Sequence, residues 1–133
     1  TASLRSVAQY SDAAQFNTGQ MFIGGPGSVR GFRGGSLGGE VGGFVRAEVT
    51  GVVPVTLAPE FGRLEAFAGI DRGLIRRNYA DPSQQSGLSG AALGLRFTGG
   101  RLNAELVWER GLSAPAGFTA DDEVIRASMG VRF

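Results

Sequence analysis

Period-two alternation governs almost the whole of this chain and leaves little room for helix. Between Phe44 and Val53, one face takes Val45, Ala47, Val49 and Val53, and the other takes Phe44, Arg46, Glu48 and Thr50. Leu64, Ala66, Ala68 and Ile70 then oppose Glu65, Phe67, Gly69 and Asp71. Ala91, Leu93, Leu95 and Phe97 oppose Ala92, Gly94, Arg96 and Thr98, and Leu102, Ala104, Leu106 and Trp108 oppose Asn103, Glu105, Val107 and Glu109. Ile125, Ala127, Met129, Val131 and Phe133 oppose Arg126, Ser128, Gly130 and Arg132. With a weaker segment around Leu4–Tyr10, the pattern predicts an all-β, antiparallel fold of about six strands.

The connections alternate in length. Thr98–Arg101 is a tight hairpin and Val55–Gly62 a short turn, whereas Ser11–Gly39, Arg77–Ser86 and Ser113–Asp122 are longer. Short turns at one end and longer loops at the other are the habit of outer-membrane barrels. A soluble sheet with one solvated face shows the same alternation, so the pattern alone does not choose. Strand length does more, because runs of about 9–12 residues can cross a bilayer at a tilt and exceed the usual soluble strand. Phe97 and Trp108 are expected towards strand ends, as lipid-facing anchors at the aromatic girdle. About six strands cannot close a barrel, and an open edge in lipid strands its backbone polar groups. The chain is therefore expected to be part of a larger barrel, or to need other strands or other copies for closure. Its start at Thr1, just ahead of a strand, fits a piece of something longer.

Composition removes whole classes of chemistry. There is no cysteine and no histidine, so thiol nucleophiles, histidine bases and the usual zinc sites are excluded. No catalytic residue, metal site or cofactor is expected, and the chain is not expected to be an enzyme. A net charge of +1 argues against a nucleic-acid footprint. The apolar runs are too short for a transmembrane helix or a signal-peptide core.

One stretch breaks the alternation: "GGPGSVRGFRGG", residues 24–35, within a long loop at about 12–40. A phosphate cradle needs a following helix and a lysine, and the chain has neither. An RNA-binding arginine–glycine tract needs several repeats in a basic setting, and Arg30–Gly35 supplies barely one. The remaining reading is a loop that threads a narrow space and places one cation there. Glycine permits close backbone approach, and arginine carries a fixed fork of donors that can lock onto carboxylates.

The segment from Phe22 to Arg33, with Val29-Arg30-Gly31-Phe32 at its centre, resembles the signature loop of two-partner secretion outer-membrane transporters (the haemolysin activator and filamentous haemagglutinin transporter type). They share a superfamily with the barrel-assembly proteins. The resemblance implies that residues 1–133 are the C-terminal part of a roughly sixteen-stranded barrel in the bacterial outer membrane. It implies a loop tip folded into the lumen, with Arg30 paired to Asp71 in Gly69-Ile70-Asp71 and Glu48 as second partner. The implied function is export of an unfolded exoprotein to the cell surface. The alternatives are a barrel-assembly or insertion factor of the same superfamily and, ranked lower, a soluble β-domain binding RNA through the loop. Phe133, in phase with Val131, Met129 and Ala127, resembles the terminal signal read by the assembly machinery during biogenesis. Arg76 and Arg77, beside a long loop, are candidates for lipopolysaccharide phosphates among the surrounding outer-membrane lipids, or are solvated. Glu65, Glu105 and Glu109 are expected as water-solvated pore lining.

Overall fold

The computed structural model describes residues 1–11, 19–54, 62–78, 80–120 and 123–132, with the backbone alone at Pro82. Six antiparallel strands form one sheet: β1 (Ala2–Gln9), β4 (Val41–Val52), β5 (Arg63–Arg76), β6 (Gln85–Gly99), β7 (Leu102–Ser113) and β8 (Val124–Val131). Each pairs with the next in that order, so the sheet is a meander interrupted once, between β1 and β4. That interruption is the long loop. It holds a feature that period two did not signal, a short ribbon of β2 (Met21–Ile23) against β3 (Leu37–Gly39). Three-residue strands are too short to show a period, and two of the three residues of β3 are glycine.

The four central strands run 12 to 15 residues, slightly longer than the alternation suggested, and β1 and β8 run 8. β6 turns into β7 at Gly100 and Arg101, where Gly100 has a positive φ. The Val55–Gly62 turn falls outside the described residues except for Gly62, and so does Phe133. Between β5 and β6, Asp81 accepts hydrogen bonds from the Ser83 backbone N–H at 2.9 Å and from the Ser83 hydroxyl at 2.6 Å. These cap a short 3-10 turn over Pro82–Gln84.

Register fixes which faces share a side. Val49, Ala68, Leu93, Trp108 and Ile125 form one continuous row across five strands. Gly51, Ala66, Leu95, Leu106 and Ala127 form the next. This apolar face is bare: Val49 is 65% exposed, Leu93 53%, Ile125 71% and Met129 75%. The opposite face, with most of the charges, is the covered one, and Phe67, Ala92 and Val107 are buried on it. Such a sheet is inside-out for water. It is consistent for a wall solvated by hydrocarbon outside and lined by polar groups inside. Phe97 sits near the short-turn end of this face as expected. Trp108 does not lie at a strand end: it pairs with Leu93 and Ile125 in the interior of β7, two residues short of Arg110.

Above Phe67, Ala92 and Val107 on the inner face, the loop builds a second core from Met21, Ile23, Val29, Phe32, Leu37, Phe44, Ile75 and Leu88. Phe118 from the β7–β8 connection closes on Phe32 with ring centroids 5.8 Å apart. The loop is thus seated on the wall by its own apolar side chains, and the arginine is placed between its two cores.

Candidate functional site: a loop arginine on the inner wall

The loop enters with Gly24 and Gly25 at positive φ and turns at Pro26 and Gly27, with the Ser28 N–H donating to the Gly25 carbonyl at 3.2 Å. The Ser28 hydroxyl accepts from the Gly24 N–H at 2.9 Å. This knot aims Val29 and Arg30 at β5. Val29 and Ile23 lie against Gly73, where a Cβ would meet both at 2.9 Å. Arg30 lies against Gly69, where a Cβ would collide with the guanidinium, and its carbonyl rests on Gly90, where a Cβ would overlap it. Gly31, at φ 86°, meets the backbone of Arg110 and Gly111, which any side chain there would strike. Glycines on three adjacent strands therefore form a seat without side chains.

Arg30 is 3% exposed. Its Nε donates to Asp71 Oδ2 at 2.7 Å and its Nη2 to Asp71 Oδ1 at 2.8 Å, a bidentate fork. The Arg30 backbone N–H adds a third bond to Asp71 Oδ2 at 2.9 Å. Nη1 donates to Glu48 Oε2 at 3.0 Å. Burial opposes the charge, but hydrogen bonds and attraction from Asp71 and Glu48 outweigh it, and the Arg30 pKa is raised above its ordinary value. Arg30, Asp71 and Glu48 are thus brought together. Val29 and Phe32 are buried in the loop core, and Gly31 is the close-approach point.

Several participants were missing from the sequence reading. Arg46 donates through Nη2 to the carbonyls of Pro26 at 2.9 Å and Ser28 at 2.8 Å, so it clamps the loop knot from the wall. Its Nε stands 3.3 Å from Asp71 Oδ1 at an angle poor for a hydrogen bond, a contact of charge. Arg96 reaches Glu48 Oε1 at 2.5 Å and Glu105 Oε2 at 2.7 Å, and its guanidinium lies 3.9 Å from the Phe67 ring centroid. The carboxylates expected as solvated lining are instead paired. Glu105 meets Arg96, Glu65 meets Arg63 at 2.8 Å, and buried Glu109 meets Arg126 at 2.7 Å. Glu109 also accepts from the Gly31 N–H at 3.4 Å. Arg96 and Arg126 reach Glu105 and Glu109 from neighbouring strands, whereas Arg63 lies two residues from Glu65 on β5 itself, and Glu65 and Glu105 keep part of their surface in water. A cross-strand tally of inner-face arginines and carboxylates would have exposed them, since Arg96 stands directly opposite both Glu65 and Glu105.

The network Arg46, Asp71, Arg30, Glu48, Arg96 and Glu105 alternates in sign and sums to zero, three arginines against three carboxylates. Chemically it can hold a loop in place. Among the described residues no group of three metal-ligating side chains occurs. Of the two lipopolysaccharide candidates, Arg77 is exposed, and its backbone N–H donates to Gln84 O at 3.4 Å. Arg76 is half-buried and already engaged.

A family model described as haemolysin secretion/activation protein ShlB/FhaC/HecB matches residues 3–97. An outer membrane transporter CdiB of Escherichia coli is 33% identical over 98 residues, covering 74% of this chain and 16% of the relative. Another, from Dickeya dadantii (strain 3937), is 30% identical over 125 residues, covering 94% of this chain and 22% of the relative. Among solved structures, CdiB from Escherichia coli superposes with a TM-score of 0.86 at 28% identity, over 98% of this chain and 24% of that one. CdiB from Acinetobacter baumannii gives 0.84 at the same identity. The chain spans less than a quarter of the length of these relatives.

Proposed function

Since the chain belongs to the ShlB/FhaC/HecB family of haemolysin secretion/activation proteins, we propose that it forms part of an outer-membrane pore exporting an unfolded partner exoprotein. Residues 1–133 act as the C-terminal part of the barrel wall, closed by further strands, with residues 12–40 as a loop folded into the lumen. Arg30 locks that loop to Asp71 and Glu48. The observation that carries the reading is the seated loop: a 3% exposed arginine forks onto Asp71 on the polar face, while the apolar face stays bare. The transporter names of the relatives support export over barrel assembly.

Nothing in this reading is catalytic. The exoprotein passes as an extended chain, and folding at the surface biases its direction. Outer-membrane lipids bathe the apolar face, and the assembly machinery inserts the barrel, with Phe133 as its signal. Support for that signal is the outward phase of Ala127, Met129 and Val131. The test uses the full-length transporter carrying Asp71→Ala, reading exoprotein secretion, pore conductance and protease nicking of residues 24–35. The lock predicts higher conductance and faster nicking. Wild-type values for both would overturn it.

A further inference from the structure

Arg72 and Arg110 stand on the bare, apolar side of the sheet, not on the charged one. Register puts Ala47, Ile70, Ala91 and Arg110 in one row, and Arg72 two residues beyond Ile70 on the same face of β5. Both arginines are exposed, and among the described residues neither makes an ion pair. Glu123, which precedes the Val124 opposite Glu109, does not pair with Arg110 either. Two unpaired cations on a hydrocarbon-facing wall are expensive unless they reach an anionic headgroup layer. Both lie near the ends of their strands that lead to the longer connections, the external side of such a wall.

Directly below them the wall is hollow. Ala47, Ala68 and Ala91 are the low points of a depression of about 690 Å³, and Ile70, which projects between Ala47 and Ala91, joins Leu4, Leu93 and Trp108 as its walls. Across the rim, the Ser89 and Ser113 hydroxyls sit 2.6 Å apart on the pair of strands that carries Arg110.

We propose that this face binds one phosphorylated acyl lipid of the outer leaflet, with Arg72 and Arg110 on its phosphates and an acyl chain in the alanine-floored hollow. The complementarity of two unpaired cations above an apolar trough selects that occupant over a protein partner. The inference rests on the outward face lying in the membrane, as under the proposed function.

The test loads the full-length transporter with lipid A from phosphatidylcholine vesicles, purifies it in detergent and quantifies retained lipid by mass spectrometry. Losing two cations near an anionic surface should weaken retention in R72Q/R110Q by about thirtyfold. R72K/R110K should stay within a few-fold of wild type. Ala91→Phe, which fills the hollow, should also weaken retention. Retention by R72Q/R110Q equal to wild type, or displacement by inorganic phosphate as effective as by excess lipid A, overturns the site. Should R72Q/R110Q fail to assemble, dephosphorylated lipid A on the wild-type protein decides: weaker retention supports the site and equal retention overturns it. Heat-dependent gel mobility reads the barrel separately. A wild-type protein without that shift sinks the membrane reading, and a normal shift with no lipid retained sinks only the lipid site.

Discussion

Replacing Asp71 with alanine withdraws three hydrogen bonds from Arg30, through its N–H, Nε and Nη2. It also removes the carboxylate beside Arg46. The guanidinium is then left buried with only Glu48, which Arg96 already shares. Breaking one side of a buried ion pair costs about 3–5 kcal/mol. At about 1.4 kcal/mol per tenfold, the unseated fraction of the loop rises more than a hundredfold. The six-group network also moves from neutral to a net charge of +1, so the lumen should become more permeable to anions. Single-channel recording in planar bilayers reads both effects, and limited proteolysis reads the loop directly. Because the strands keep their pairing, heat-dependent gel mobility should be unchanged. Arg30→Ala should unseat the loop as well, and the double variant should lose less than the sum, with a coupling of about 1–3 kcal/mol. Additive effects in that cycle, or unaltered conductance in both single variants, would refute the lock.

Arg46→Ala should speed nicking near Pro26–Ser28 while leaving heat-dependent mobility intact, at a cost of about 1–2 kcal/mol, since the exposed Pro26 carbonyl turns to water and only the part-buried Ser28 carbonyl loses its donor. Gly90→Val, whose Cβ overlaps the Arg30 carbonyl, should open the pore as widely as Asp71→Ala with every charge retained. Gly27→Ala and Gly34→Ala, where an added Cβ meets nothing within 4 Å, should stay within about 0.5 kcal/mol of wild type in the same assays. Leu93→Arg on the bare face should cost about 2–4 kcal/mol and lower the yield of heat-shifting barrel.

Alternation made the sheet legible because each face meets a different solvent, so every strand repeats the same constraint. The partners of Arg30 were legible only through the resemblance of Val29–Phe32 and Gly69–Asp71 to a known loop and wall. Nothing local in the sequence says that residue 30 returns to residue 71. The pairing of Arg46, Arg96 and Glu105 was hidden for a related reason: alternation reads each along its own strand, with Glu105 as solvated lining, while their contacts are decided across strands. The glycines left a signal that went unread. Gly69, Gly73, Gly90 and Gly111 recur on the inner face of adjacent strands, where a solvated wall would carry polar side chains. Trp108 falls mid-strand because β7 continues past Glu109, the last residue of its alternation, through Gly111 to Ser113.

The side-chain-free seat also weakens what it is cut into. Each glycine within a strand gives up roughly 0.5–1 kcal/mol relative to alanine, and the four inner-face positions together forfeit about 2–4 kcal/mol of sheet rigidity. Packing by Ile23, Val29 and Phe32 offsets that deficit only while the loop lies against them. Withdrawing the loop therefore does more than empty the seat, because it leaves β5, β6 and β7 most pliable where those glycines lie side by side.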